Sequence, residues 1–336
     1  MSKLLKKNNT WLITGCAGFI GSNLLEYLLL NNQRVVGIDN FSTGYQSNLD
    51  QVKESVGNTK WKNLSFLDAD LRDLNKCLAL LNRIKGGLNF DFILHQAAIG
   101  SVPRSIKDPI FTHENNVDVF VNILEIARSL SIPKLVYASS SSVYGDEVTL
   151  PKREQKIGKL LSPYAATKYI NEIYADIYSS VYNISITGLR YFNVFGPRQD
   201  PGGPYAAVIP KWIQAFIDNS GVIINGDGKT TRDFCYIDNV VQANIRSALI
   251  NQPNHLVHNI AFGERTSLEE LTLIIIDNLR RVGIRSNYEI RYGDFREGDI
   301  RHSLADISSA RENIGYLPEY DLSNGMKKYI DWYIKN

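Results

Sequence analysis

A tyrosine becomes a useful general base only when something stabilises its phenolate, and this chain places a candidate beside one. In LSPYAATKYINEIYADIYSSVY (residues 161–182), Tyr164 and Lys168 stand four apart. On a helix that spacing puts both on one face, a turn from each other. An ammonium at that range is expected to draw the phenol's pKa toward neutrality, where it can accept a proton. Tyr-x-x-x-Lys recurs by chance in helices, so its weight depends on its company. Upstream, YASSSSVYG (137–145) sets Ser139 to Ser142 between an apolar run and a tyrosine. Four serines are either a loose loop or a wall of hydroxyls, and the nine residues alone do not decide.

A third group lies near the start of the chain. TWLITGCAGFIGSNLLEYLL places Gly15, Gly18 and Gly21 between an apolar strand and a helix. Glycines there permit a tight turn and close approach of a pyrophosphate, and the helix start offers unpaired amides and the positive end of its dipole. The next strand, RVVGID, ends in Asp39, eighteen residues after Gly21. A carboxylate at that point takes ribose hydroxyls and repels a 2′-phosphate, so the pattern predicts NAD rather than NADP. DNFSTG is also turn-rich, so Asp39 could instead cap a turn. Arg34 begins the same strand, too far back to hold a 2′-phosphate.

Stepping outward, short β-rich runs (TWLIT, RVVGID, LSFLDAD, FDFILHQAA, KLVYAS) alternate with helical patterns such as VFVNILEIARSL. Strands apolar on both faces, spaced by helices, predict a doubly wound α/β domain with a parallel sheet over residues 1–190. From 191 to 336 the pattern loosens through the Pro/Gly-rich GPRQDPGGPYAAVIP, predicting a smaller substrate-binding lobe with segments returning to the main sheet. The 37 basic and 35 acidic residues leave a net charge of +2, so no global field recruits nucleic acid or an anionic membrane. Cys16, Cys77 and Cys235 lack disulfide or metal spacing, and no metal site is expected. Without a long apolar run or a leader-like start, a soluble cytoplasmic protein is expected.

In combination these residues resemble the extended short-chain dehydrogenase/reductases, and among them the nucleotide-sugar 4-epimerases. The matching segments are GCAGFIG, DNFSTG, DADLRD, HQAA, ASSSSVYG, PYAATK, LRYFNVFGPRQ, GDGKTTRDFCYIDN and FREGDIRHS, in that order and across nearly the whole chain. HQAAIGSVPRS and YFNVFGPRQDPGGPYAAVIPKW bring it nearest to the branch acting on UDP-N-acetylhexosamines and their uronic acids. The resemblance implies a Rossmann domain with tightly bound NAD. Its cofactor contacts would be Gly15, Gly18, Phe19, Ile20, Gly21, Asp39, Asn40, Ser42, Thr43, Gly44, Asp70, Leu71, Gln96, Ala97, Ala98, Tyr164, Lys168 and Tyr191.

It further implies that Ser140 bonds the sugar's 4-oxygen and relays its proton to Tyr164, with Lys168 as the third catalytic residue. Ser139 would close the strand beside the nicotinamide. Ser141 and Ser142 occupy positions where related dehydratases carry acids, and two hydroxyls cannot perform that elimination. For substrate it implies Gly100, Ser101, Ser140, Ser141, Ser142, Asn193, Ala207, Val208, Arg232, Arg296, Asp299 and Ser303, with the segment from Tyr205 facing uracil. The arginines suit a diphosphate. A small residue at Ser303 leaves room for a 2-acetamido group, which points to interconversion of UDP-GlcNAc and UDP-GalNAc for surface polysaccharide synthesis. Arg104 either faces a uronate carboxylate or braces its own loop. Family members pair the helix bearing Tyr-x-x-x-Lys in a homodimer, and the apolar residues of YINEIYADIYSSVY permit that.

Overall fold

The computed structural model describes all residues except 1–3, 6, 86–88, 203–205, 251–253 and 296–299. Its first half alternates strand and helix: β1 (Thr10–Thr14), α1 (Phe19–Leu30), β2 (Arg34–Asp39), α2 (Gln46–Trp61), β3 (Leu64–Asp68), α3 (Leu74–Lys85) and β4 (Phe92–His95). Two short helices, α4 (Val102–Lys107) and α5 (Pro109–His113), and one π turn lead into α6 (Val119–Ser129), β5 (Lys134–Ser140), α7 (Pro163–Tyr182) and β6 (Ser185–Tyr191). Beyond these lie β7 (Val194–Phe195), α8 (Val208–Ile217), β8 (Val222–Asn225), β9 (Thr231–Arg232), β10 (Cys235–Tyr236), α9 (Ile237–Leu249) and β11 (Leu256–Ile260). The chain ends with β12 (Thr266–Ser267), α10 (Leu268–Arg281), β13 (Ile290–Gly293), α11 (Ser308–Ile314) and α12 (Leu322–Tyr333).

Seven strands make one parallel sheet in the order β11-β6-β5-β4-β1-β2-β3. Because successive side chains of a strand face opposite ways, β1 feeds two cores. Trp11 and Ile13 pack with Leu24 and Leu28 of α1, Val52 of α2 and Val240 of α9. Leu12 packs on the other face with Leu81 of α3, Phe120 and Ile123 of α6 and Ala175 of α7. Burial on both faces explains the unbroken apolar runs read in the sequence.

The chain winds outward from β1 to β3 on one side and from β4 to β6 on the other. It returns with β11, which pairs β6 in register from Leu256 opposite Thr187 to Ile260 opposite Tyr191. The reversal between β1 and β4 leaves a crevice at the strands' carboxyl ends, where ligands of such sheets bind. The remaining strands form three small pairs, β7 with β10, β9 with β12 and β8 with β13. Among the described residues no helix is long and apolar enough to cross a membrane.

Candidate active site

The crevice between β1 and β4 opens into a cavity of about 540 Å³, within the range of small-molecule sites. Its wall includes Gly15, Gly18, Phe19, Ile20 and Gly21, then Asp39, Asn40, Ser42, Thr43 and Gly44, then Asp70, Leu71, Gln96, Ala97 and Ala98. Gly15 holds φ at +70°, and a Cβ on it would stand 2.7 Å from the Ala97 amide nitrogen. A Cβ on Gly21 would stand 2.0 Å from the Gly15 carbonyl oxygen. Only glycine lets loop and helix close this tightly. Gly18 caps α1 without a side chain, leaving the first-turn amides to face the cavity. This cradle fits a dinucleotide diphosphate.

Asp39 is buried in the cavity wall. Its carboxylate accepts from the Ala17 amide at 2.8 Å and the Phe41 amide at 2.9 Å. Burial raises its pKa, and those backbone bonds pull the other way. Asp39 thus laces the glycine loop to β2 as well as facing the cavity, a bracing role the spacing did not reveal. Arg34 sits opposite Thr10, at the far end of the strand from the crevice. Asp70 holds the Arg72 guanidinium at 2.7 Å, which lowers its pKa.

The phenol and ammonium stand on the first turns of α7. Ser162 caps that helix by accepting from the Ala165 amide at 3.1 Å, and Pro163 occupies its first turn. The Ser140 hydroxyl lies close enough to Tyr164 to pull its pKa down. The Lys168 ammonium lies 6.0 Å from the centre of the Tyr164 ring and donates to the Ala138 carbonyl at 2.9 Å. Burial brings Lys168 down to about 8. Burial also pushes the Tyr164 phenol up, against the pull of the Ser140 hydroxyl. In the protein without NAD, burial outweighs the lowering expected of the ammonium, which is seated on the Ala138 carbonyl.

Ser140 also accepts from the Ser142 amide at 3.1 Å, which starts a short turn at Ser141–Tyr144. Ser139 does not present its hydroxyl to the nucleotide cavity. It donates to Glu172 of α7 at 2.6 Å. Tyr191 lies outside the cavity lining and reaches it through Gln96, at 3.1 Å from its hydroxyl. The Asn244 amide donates to the same hydroxyl at 2.9 Å.

Of the expected substrate residues, Gly100 and Ala207 line the cavity, as does Arg104. Ser101 caps α4, its hydroxyl accepting from the Arg104 amide at 3.2 Å, and Val208 opens α8. Asn193 donates to the Asp233 carbonyl at 3.1 Å. Arg232 lies in β9, and the amide of Ser303 donates to its neighbour Thr231 at 3.1 Å. This brings Arg232 and Ser303 together from distant parts of the chain. Arg296, Asp299 and Tyr205 lie outside the described residues. No group of three or more metal-ligating side chains occurs among the described residues.

Sequence reasoning passed over three buried polar groups. His95 ends β4 with Nδ1 2.7 Å from the Thr14 hydroxyl, and burial with the nearby Lys168 charge holds its pKa down at about 3. Asp233 accepts from the amides of Phe262, Gly263 and Ala305, clipping three segments beside Asn193. Glu172 and Arg190 form a bidentate pair at 2.9 and 2.7 Å. Only Glu172 carried a legible signal, standing eight residues after Tyr164 on the same helical face.

The comparisons agree with this geometry. The profile of the NAD dependent epimerase/dehydratase family matches residues 11–261. The UDP-glucose 4-epimerase of Mycolicibacterium smegmatis is 34% identical over 323 residues, covering 96% of this chain and 97% of the relative. A solved UDP-N-acetylglucosamine 4-epimerase from Methanobrevibacter ruminantium, in complex with UDP-N-acetylmuramic acid, superimposes with a TM-score of 0.86 at 36% identity, over 98% of this chain and 99% of the other. The UDP-glucuronic acid 4-epimerase of Bacillus cereus, with UDP-glucuronic acid and NAD, gives 0.81 at 29% identity, over 97% and 99%. NAD is accordingly the cofactor that the glycine cradle serves, and the chain belongs to the NAD dependent epimerase/dehydratase family.

Proposed function

We propose that the protein is a UDP-sugar 4-epimerase that interconverts UDP-GlcNAc and UDP-GalNAc through a 4-keto sugar, supplying surface polysaccharide synthesis. The convergence of Ser140, Tyr164 and Lys168, the ammonium 6.0 Å from the centre of the Tyr164 ring, carries this reading. Bound NAD supplies reversible hydride acceptance at sugar carbon 4. Ser140 bonds the 4-hydroxyl and passes its proton to Tyr164. Lys168, a cation at neutral pH even with its pKa brought down to about 8, favours the phenolate form of Tyr164 that accepts this proton. When the hydride returns to the opposite face of the turned ketone, Tyr164 gives the proton back.

Residues 1–190 would hold the cofactor and the proton relay, and residues 191–336 mainly the UDP-sugar. Arg232 would neutralise the diphosphate, with Asn193, Ala207 and Val208 at its side. Ser303, small and close to Arg232, leaves space for the acetamido group, and Gly100 and Ser101 line that side. Ser141 and Ser142 stand where elimination of water would need a carboxyl acid and a carboxylate base, and hydroxyls cannot take those roles. Arg104 on the cavity wall favours a second reading, in which the sugar is an N-acetylhexosaminuronic acid.

A homodimer is part of the proposal. Ile106 of α4 and Ile110 of α5 are exposed on helices that pack against α7, along which the exposed Ile173, Ile177 and Val181 are spaced i, i+4 and i+8. Exposed apolar side chains grouped on neighbouring helices are what the same helices of a second copy would cover. The deciding experiment incubates the NAD-loaded protein with UDP-Glc, UDP-GlcNAc and UDP-GlcNAcA and follows the anomeric protons by NMR. UDP-GalNAc should form fastest from UDP-GlcNAc, and its absence with cofactor bound would overturn the assignment.

A further inference from the structure

Three consecutive residues at the end of β5 each meet one of three residues spaced a turn apart on α7, two of them through hydrogen bonds. The Ala138 carbonyl accepts from Lys168 at 2.9 Å, Ser139 donates to Glu172 at 2.6 Å, and Ser140 lies near enough to Tyr164 to lower its pKa. Tyr164, Lys168 and Glu172 fall at i, i+4 and i+8, so one helical face forms the whole ladder. The outer two rungs belong to the proton relay; the Glu172 rung does not. Its carboxylate and the Arg190 guanidinium are buried, with side chains 6% and 3% exposed. Arg190 stands opposite Ser139 in the β5–β6 register, fills both oxygens of Glu172, and sends its remaining nitrogen to the Glu154 carbonyl at 2.9 Å.

A bidentate buried pair of this kind fixes geometry more reliably than it adds stability. Here it fixes the Glu172 oxygen that receives the Ser139 hydroxyl. The peptide bond after Ser139 carries Ser140, so any slack at Ser139 moves the Ser140 hydroxyl relative to Tyr164. Resting on the reading that Ser140 and Tyr164 transfer the proton, we propose that Glu172 is a positioning residue of the relay: clamped by Arg190, it holds through Ser139 the strand end bearing Ser140 against the helix bearing Tyr164. The charged and titratable groups around Glu172 are Arg190, Tyr137, His255 and Asp176, with Glu154 beyond Arg190. Around Tyr164 they are Lys168 and, behind it, His95.

The test uses the NAD-loaded full chain and the variants Ser139→Ala, Ser139→Thr and Glu172→Gln. Ser139→Ala leaves the ion pair whole and removes only the rung. Its kcat should fall about 10-fold with KM within roughly 2-fold, as expected when reacting groups are misplaced rather than lost. Glu172→Gln should fall further, and Ser139→Thr, which restores a hydroxyl, should recover most of the rate. The phenol titration of Tyr164 is read without any sugar, as the absorbance difference from Tyr164→Phe. Its midpoint should rise in Ser139→Ala and Glu172→Gln, because the Ser140 hydroxyl that lowers it moves away, and return in Ser139→Thr.

Unchanged kcat and unchanged titration in Ser139→Ala would overturn the proposal, as would loss of melting temperature alone. If Glu172→Gln does not fold, the Ser139 pair still decides. A wild type inactive on every UDP-sugar but with the expected titration shifts would sink the substrate assignment and leave the positioning role standing.

Discussion

Gly21 lies so close to Gly15 that a β-carbon on Gly21 would be 2.0 Å from the Gly15 carbonyl oxygen. Relief must come from the backbone of the loop whose amides face the diphosphate, since no flexible side chain is available to move. Gly21→Ala is therefore expected to fold, because the helix itself welcomes alanine, while losing NAD. We expect the cofactor content after purification to drop and NAD affinity to weaken by about 10-fold or more, about 1.4 kcal/mol. Calorimetric titration of the stripped protein measures it, and wild-type affinity would refute the close-packing argument.

The proton relay separates binding from chemistry. Tyr164→Phe removes one hydroxyl without changing the ring beside Lys168, so NAD content and UDP-sugar affinity should stay within roughly 2-fold. General acid–base catalysis is worth roughly 100- to 10,000-fold, and turnover should fall by that order. Near-normal kcat would mean that another group takes the proton from the 4-hydroxyl. Because burial holds the Tyr164 phenol up, the wild-type rate should rise with pH across the neutral range as the base form is populated.

How far the sequence carried depended on the kind of feature. The glycine loop, Asp39 and the Tyr-x-x-x-Lys pair were legible because each is a local pattern whose chemistry needs a fixed spacing. The parallel sheet was legible because strands buried on both faces are apolar throughout. What escaped was set by tertiary placement. Nothing in KLVYASS distinguishes Ser139, turned to Glu172, from Ser140, turned to Tyr164, until the pleat and the neighbouring helix are known. The seat of the Lys168 ammonium was illegible for the same reason, since its carbonyl partner on β5 lies thirty residues upstream. The return of the chain as β11 beside β6 was foreseen only as a segment rejoining the sheet, without its place or register.

His95 supplies a prediction about acid stability. Its pKa is held at about 3 in the folded protein, against 6.5 as the ordinary value. Between those values the unfolded chain binds the extra proton and the folded one does not. Stability conferred by this group is complete above pH 6.5 and is lost as pH falls through that window. Between pH 7 and pH 5 the loss should be about 2 kcal/mol. His95→Asn keeps a polar partner for Thr14 but cannot charge. Urea unfolding at the two pH values should show a smaller pH dependence in that variant, and equal slopes in the two proteins would show that His95 is not the responsible group.

Ser303 tests the sugar assignment most directly, because on the proposed reading its size sets the room left for the sugar while the relay is untouched. Its amide is tied to Thr231 beside Arg232, so its side chain should sit near the sugar end of a UDP held by that arginine. Ser303→Tyr inserts a bulky ring there, and overpacking of a filled site typically costs about 1–3 kcal/mol. We expect kcat/KM for UDP-GlcNAc to fall roughly 10- to 100-fold while UDP-glucose, which lacks the acetamido group, loses at most about 3-fold. The ratio of the two substrates is the measurement, since it cancels any general damage to the fold. Equal losses on both would remove Ser303 from the pocket and, with it, the steric case for an acetamido sugar.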